Sequence, residues 1–197
     1  MTPPPPLEEG IVRDFVFAGH GDFATVQKLY QKHPEVLHQR YEPTGETALE
    51  AASHTGQREI AEFLLQAGAH PTICTVAMLG DLDEVRRFLR RDPKLAEARG
   101  AHGLSVLYHA AVGGHIEVAK LLHEFGCEEG FERALHGAID FNHPEMVAWL
   151  LDTGVQDLDV PDRQGRSPLT KAIANRQKEI VLLLQQRGAK AEKTSAT

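Results

Sequence analysis

The chain of 197 residues contains eleven histidines, the side chains best suited to bind a metal ion or to move a proton near neutral pH. His109, His115 and His123 lie close together in the sequence, so a zinc site has to be considered. Neither Cys-x-x-Cys nor His-Glu-x-x-His, the short spacings typical of zinc sites, occurs anywhere in the sequence. We therefore predict no bound metal and no other cofactor.

Paired carboxylates such as Asp81/Asp83 and Glu128/Glu129 could perform acid–base chemistry if a nucleophile stood beside them. The sequence indicates no such nucleophile, and acidic residues at helix starts and on solvated surface are common without one. The dipeptide Gly113–Gly114 lacks the Lys-Ser/Thr that follows a phosphate-binding loop. We predict no catalytic residues, so an enzyme, metal-dependent or otherwise, is the least favoured function.

The strongest basic cluster is RRFLRR, from Arg86 to Arg91. Acidic neighbours at helical spacing, such as Asp83 four residues before Arg87, favour a solvated outer helix face with ion pairs. A local docking patch for an acidic partner is the alternative. The net charge of −7 opposes general binding to nucleic acids or to anionic membranes, because their phosphates would be repelled.

The elements that would have to position any site are repeated along the chain. The three fullest copies are TGETALEAASHTGQREIAEFLLQAGA (44–69), GLSVLYHAAVGGHIEVAKLLHEFGC (103–127) and GRSPLTKAIANRQKEIVLLLQQRGA (165–189). A looser copy precedes each of them, at 18–37, 77–96 and 138–155. The pattern predicts about six helix pairs in three two-repeat modules, each a partial pair followed by a full one.

Local signals support two helices in each copy. Thr47 can cap the first helix, and Glu50 three residues later completes a capping box. Ser167 before Pro168 is a cap followed by proline at the first helical position, and Gly56 can end the short helix. One pair cannot bury both of its apolar faces, whereas stacked pairs can, so we predict an all-α solenoid.

The segment GETALEAASHTGQREIAEFLLQAGA resembles an ankyrin repeat, with Gly-x-Thr-x-Leu, Ala-Ala, Gly-x-x-Glu-Ile, Leu-Leu and Gly-Ala in order. The second copy has Ser105 for the threonine, and the third has Arg176 where a helix-ending glycine is expected. The resemblance, to short bacterial-type ankyrin arrays, covers about residues 14–191. It implies an ankyrin-repeat solenoid with short β-turn fingers, in which His115 serves packing and hydrogen bonding.

The spacing of the helix pairs predicts three fingers, near Glu42–Thr44, Gly100–His102 and Asp162–Gln164. Ahead of the third and fifth pairs the connecting segments are too short for a finger. We therefore expect no finger between Ala69 and Val76.

The domain organisation predicted from the sequence is a Pro-rich arm (1–10), one repeat domain (11–191) and a tail (192–197). The N-terminus has neither the basic nor the apolar region of a secretion signal, and no apolar run is long enough to span a membrane. Cys74 and Cys127 are expected to be free thiols, because two distant cysteines do not make a disulfide framework. These features favour a cytoplasmic protein.

The resemblance implies that a protein partner binds to the concave face, made of the fingers and the exposed side of the short helices. The positions carried over are Tyr41, Glu42, Pro43, Thr44, Glu46, His54, Thr55, Met78, Leu79, Arg99, His102, Leu104, Val112, Asp140, Phe141, Arg163, Gln164, Arg166 and Asn175.

An apolar stripe on that face, made of Met78, Leu79, Leu104, Val112 and Phe141, would suit a protein interface. The alternative is that residues such as Met78 and Phe141 sink into the core where fingers are missing. With the stripe exposed, Phe141 and Leu104 are the expected binding anchors together with Tyr41.

Two function classes remain open from the sequence. The favoured one is a non-enzymatic protein–protein interaction module. The alternative is a structural protein that self-associates through the stripe or through an open end of the array. Gln185 and Gln186 replace leucines of the other copies, so that end is polar, and a monomer is favoured.

Overall fold

The computed structural model describes residues 7–190, and the rest of the predicted arm and the tail lie outside this range. Twelve α-helices lie within it, starting inside the segment assigned to the arm. They are α1 (Glu9–Ala18), α2 (Phe23–Lys32), α3 (Ala48–His54), α4 (Arg58–Gln66), α5 (Ile73–Leu79), α6 (Leu82–Arg91), α7 (Val106–Gly113), α8 (Ile116–Glu124), α9 (Phe131–Asp140), α10 (Pro144–Thr153), α11 (Pro168–Ala174) and α12 (Lys178–Gln186).

The helices form six consecutive pairs, as predicted. The first helices of the pairs, α1, α3, α5, α7, α9 and α11, pack against one another in chain order, and the second helices form a second layer behind them. Short 3-10 turns at Pro34–His38 and Pro93–Glu97 follow α2 and α6, where the sequence has its His-Pro and Asp-Pro dipeptides. The all-α solenoid of helix pairs is therefore confirmed.

Capping side chains fix where the first helices begin. The backbone N–H of Thr47 donates to the Glu50 carboxylate at 2.8 Å, and the backbone N–H of Glu50 donates to Oγ1 of Thr47 at 3.2 Å. This is the predicted capping box. Ser167 caps α11 through its hydroxyl oxygen, which accepts from the backbone N–H of Thr170 at 3.2 Å, and Pro168 is at the first helical position.

Fingers occur only ahead of the second, fourth and sixth pairs in residues 7–190. The first is closed by an antiparallel bridge between Tyr41 and Glu46, and the second by a bridge between Arg99 and Ser105. In the third, the backbone N–H of Asp162 donates to the carbonyl of Arg166 at 2.9 Å. The stretch 69–76, fully described, has neither bridge nor turn before α5 begins.

The core consists of two apolar clusters that follow the array. One runs from Val12 to Met78 and includes Val112, and the other runs from Ile73 to Leu184. Small residues such as Ala51 and Ala111, both fully buried, let neighbouring first helices approach closely. Every helix described is too short or too polar to cross a lipid bilayer.

The space around Gly56, at the end of α3, shows how tightly the first helices pack. Its φ is +69°, and a Cβ added there would lie 2.6 Å from the ring of Phe141. Gly45 has the same φ of +69° with open space around it. We expect Gly45→Ala to cost about 1 kcal/mol from the left-handed backbone alone, and Gly56→Ala about 1 kcal/mol more.

Urea unfolding of both variants checks this expectation. In a Phe141→Ala background the excess cost of Gly56→Ala should shrink, because the ring has gone. Equal costs for the two glycine variants in the parent protein would show that the ring moves aside freely.

Candidate functional site

A groove on the concave face opens between the second and third fingers, where the fifth pair has no finger. Its volume is about 440 Å³. The finger residues His102, Arg163 and Gln164 form its two ends, and the first helices α7, α9 and α11 form its floor. The floor carries charged and aromatic side chains, namely Tyr108, Arg133, His136, Asp140 and Lys171.

Three histidines surround one buried carboxylate at the end of the groove beside the second finger. The Glu46 side chain is only 1% exposed. Its Oε2 lies 3.0 Å from Nε2 of His54 and 3.3 Å from Nε2 of His102, and its Oε1 lies 3.6 Å from Nε2 of His20. All four groups could ligate a single metal ion, since their ligand atoms lie within 4.8 Å of one another.

The four members of this cluster come from distant parts of the chain. His20 lies in the turn between α1 and α2, Glu46 follows the first finger, His54 ends α3 and His102 is the tip of the second finger. Burial lowers the pKa of His54, and the carboxylate of Glu46 only partly opposes this effect. Burial therefore favours the neutral form of His54 more than in a free imidazole.

A buried lysine organises the opposite end of the groove. Lys171, on α11, is 3% exposed, and its Nζ lies 2.6 Å from Oδ2 of Asp140 and 3.6 Å from Oδ2 of Asp162. Burial alone would raise the pKa of Asp162. Hydrogen bonds from the backbone N–H groups of Arg166 and Gln164 and from the Arg166 side chain outweigh it and hold this pKa at about 2.

The predicted binding positions divide into three groups by exposure. The exposed ones are Glu42, Pro43, Arg99, His102, Asp140, Phe141, Arg163, Gln164 and Asn175. The half-buried ones are Tyr41, Thr44, His54, Thr55, Leu79 and Arg166. The buried ones are Glu46, Met78, Leu104 and Val112. Of the whole set, His54, His102, Leu104, Asp140, Arg163, Gln164 and Arg166 line the groove.

The apolar residues considered for a stripe do not form one exposed surface, because Met78, Leu104 and Val112 are buried. Met78 and Val112 point between neighbouring first helices and belong to the apolar core, and Leu104 at the base of the second finger is 6% exposed. Phe141 remains 39% exposed, with its ring lying against Val112 and Gly56. Leu104 is therefore not a surface anchor, and Glu46 is covered by the three histidines rather than open to a partner.

The histidines singled out in the sequence do not come together. His109 is buried, with Nδ1 donating to the carbonyl of Ser105 at 2.8 Å, and burial lowers its pKa to about 4. Nε2 of His115 lies 3.0 Å from the Arg58 guanidinium, and Nδ1 of His123 donates to the carbonyl of Cys127 at 3.0 Å. Each of these side chains serves local packing or hydrogen bonding.

The basic cluster on α6 forms ion pairs with its own helix, at a spacing of three residues rather than four. Arg86 pairs with Asp83 at 2.9 Å, and Arg87 pairs with Glu84. Arg90 and Arg91 are exposed.

Sequence reasoning missed the histidine–glutamate cluster and the floor of the groove. The cluster has no short-range spacing, because its members are separated by up to 82 positions of chain between His20 and His102. The floor had a signal: Arg133, His136 and Asp140 follow the three- and four-residue steps of one helix face. The copy recognised in the sequence starts at residue 138, near the end of α9, which begins at Phe131.

Comparison with known proteins agrees with this architecture. Residues 73–157 and 125–195 match the family described as "Ankyrin repeats (3 copies)", and residues 44–76 match "Ankyrin repeat". Among curated proteins, the chain is 30% identical over 94 residues to "Protein phosphatase 1 regulatory subunit 27" of Mus musculus and 33% identical over 95 residues to its counterpart in Homo sapiens.

These two alignments cover 45% of this chain and 60% of each relative, so the chain spans less than two thirds of their length. The family matches together extend over most of the chain, from residue 44 to residue 195. The chain belongs to the ankyrin-repeat family.

Proposed function

We propose that this protein is a non-enzymatic interaction module that binds a protein partner in the groove between its second and third fingers. The observation that carries the proposal is the charged floor of that groove. Arg133 and Asp140 on α9 and Arg163 on the third finger are exposed there. The buried Lys171 pairs with Asp140 and fixes its position. Exposed charges above a rigid floor suit the recognition of a polar protein surface.

The relatives support an adaptor rather than a catalyst. Two of them are named as regulatory subunits of protein phosphatase 1, so the catalytic subunit of such a phosphatase is the first candidate partner to test. The same proposal places this protein in the cytoplasm as a monomer. Cys74 and Cys127 are buried free thiols, which suits a reducing compartment.

Site-specific photo-crosslinking in cells tests the location of the interface. A photoreactive amino acid at Gln164, which is exposed in the groove, should give a discrete protein adduct. The same amino acid at Leu182, which is 57% exposed on the second-helix layer, should give none. Adducts from Leu182 alone would place the partner on the opposite face and reject the proposal.

Charge reversal adds a matched control. The double variant Arg133→Glu/Arg163→Glu should lower the yield of the Gln164 adduct at least tenfold. It should change the free energy of unfolding by less than about 0.5 kcal/mol. Arg90→Glu with Arg91→Glu, two exposed arginines of the α6 cluster, should leave the adduct unchanged. The reverse pattern would identify the α6 cluster as the docking patch.

A further inference from the structure

We propose that His20, Glu46, His54 and His102 form a four-ligand site for Zn²⁺ that joins the first helix pair, the second pair and the finger ahead of the fourth pair. This inference does not rest on the proposed partner. It rests on the positions of four ligand atoms, on the burial of the carboxylate and on a hydrogen bond that orients one of the rings.

The four ligand atoms lie close enough together to share one metal ion, since all are within 4.8 Å of one another. Zinc binds imidazole nitrogen and carboxylate oxygen at about 2.0–2.2 Å, so the corners of its tetrahedron are about 3.3–3.5 Å apart. The three histidine Nε2 atoms lie 3.0, 3.3 and 3.6 Å from the nearest Glu46 oxygen. The rings of His20 and His102 flank His54, with centroids 5.1 and 4.9 Å from it, so the three nitrogens converge on the carboxylate.

A backbone contact orients the ring of His20 so that its other nitrogen is turned toward the carboxylate. Nδ1 of His20 lies 3.3 Å from the carbonyl oxygen of Phe17, and it must donate there because a carbonyl only accepts. Nε2 of His20 then faces Oε1 of Glu46 at 3.6 Å, where it could bind a metal ion. Donation of the other ring N–H to a backbone carbonyl is the usual arrangement of zinc-bound histidine.

The charge and burial of Glu46 favour the same conclusion. A carboxylate that is 1% exposed needs a compensating positive charge, and only the three histidines and no lysine or arginine contact it among the described ion pairs. Four protein ligands would fill every position of a tetrahedral zinc ion and leave none open for water, as in a structural site. Magnesium and calcium prefer oxygen ligands and should bind poorly.

The fold brings the ligands together because the third pair has no finger. The tip of the second finger, His102, therefore reaches across the third pair to Glu46 and His54 of the second pair. His102 has φ +57°, so the tip adopts the left-handed conformation that turns its side chain toward the cluster. Zinc would then tie the α1–α2 turn, the first finger and the second finger together.

Zinc binding to the full-length protein tests the site. Protein stripped with a chelator and titrated with Zn²⁺ against a chromophoric competitor should bind one ion per chain. Its Tm should rise by roughly 5–10 °C when free zinc exceeds Kd 100-fold. X-ray absorption of the zinc-loaded protein should show four nitrogen or oxygen neighbours near 2.0 Å and no sulfur.

Variants separate this site from adventitious binding. His102→Asn keeps a residue that tolerates positive φ at an exposed tip, and His20→Gln lies in a half-buried turn, so both should fold. Each should weaken zinc binding at least tenfold. The control is His38→Gln with His70→Gln, which removes a stacked surface pair whose ring centroids are 4.8 Å apart.

The outcomes are distinct. Loss of binding in the cluster variants with binding retained in the control supports the site. Three results would overturn it: equal zinc binding by all variants, loss of zinc binding in the His38/His70 control, or sulfur ligands in the X-ray absorption spectrum. Because none of these readouts involves a protein partner, failure of the zinc site leaves the groove proposal standing, and failure of the groove proposal leaves the zinc site standing.

Discussion

Lowering the pH from 7 to 4 is expected to reduce the free energy of unfolding by about 3 kcal/mol through His109 alone. The His109 side chain is 1% exposed, and burial lowers its pKa from 6.5 to about 4, although a hydrogen bond to the carbonyl of Ser105 partly opposes this. Between these two values the unfolded chain binds a proton that the folded chain does not. The stabilisation is therefore complete above pH 6.5 and is lost as the pH falls toward 4.

His109→Gln isolates this contribution, because glutamine does not titrate and its amide can still donate to the Ser105 carbonyl. Urea unfolding at a series of pH values should show a slope smaller by about one proton between pH 4 and 6.5. Some slope should remain, since burial also lowers the pKa of His54, His115 and His136. An unchanged slope in His109→Gln would show that the ring is protonated in the folded protein.

Lys171→Met is expected to cost about 2–3 kcal/mol, because it leaves buried polar groups without their cation. The Asp162 side chain is 9% exposed and keeps Arg166 as its one cationic partner among the described ion pairs, and the carbonyl of His136 loses its contact with Nζ. Asp140, whose side chain is 43% exposed, can be rehydrated, which keeps the cost below that of a fully buried pair. Urea unfolding measures the change.

Lys120→Met is the matched control, since Lys120 also lies on a helix and pairs with a carboxylate, Glu117, at 2.7 Å. Its side chain is 47% exposed, so its loss should cost less than about 0.5 kcal/mol. Amide exchange in α11 and α12 should accelerate more in Lys171→Met than in Lys120→Met, because the terminal pair can open separately. Equal losses for both variants would contradict a structural role for the buried lysine.

The short-range signals for helix starts and ends were sufficient to predict the fold. The Thr47–Glu50 capping box, the Ser167–Pro168 start and the glycine at 56 are short-range signals, and each occurs in the structure where the sequence placed it. The absence of two fingers also follows from the sequence, because the segments that lead to the third and fifth pairs have too few residues to form a finger.

Burial at the concave face could not be predicted in the same way. Whether Met78 or Val112 is exposed depends on how closely two neighbouring helices approach, and small residues such as Ala51 allow them to come very near. The histidine–glutamate cluster depends on how far the second finger reaches across the third helix pair. Such three-dimensional distances leave no periodicity in the sequence.

The alternation of fingered and fingerless pairs has a consequence for how the array can grow. Its repeating unit is two pairs, roughly 60 residues from one finger glycine to the next. Duplication of a single pair would place either two pairs with fingers or two pairs without fingers next to each other. Neither arrangement reproduces a contact between neighbouring pairs that the array already has. Duplication of the two-pair block inserts one finger and one groove between surfaces that already match. We expect longer forms of this chain, whether engineered or arisen by recombination, to gain length in such blocks.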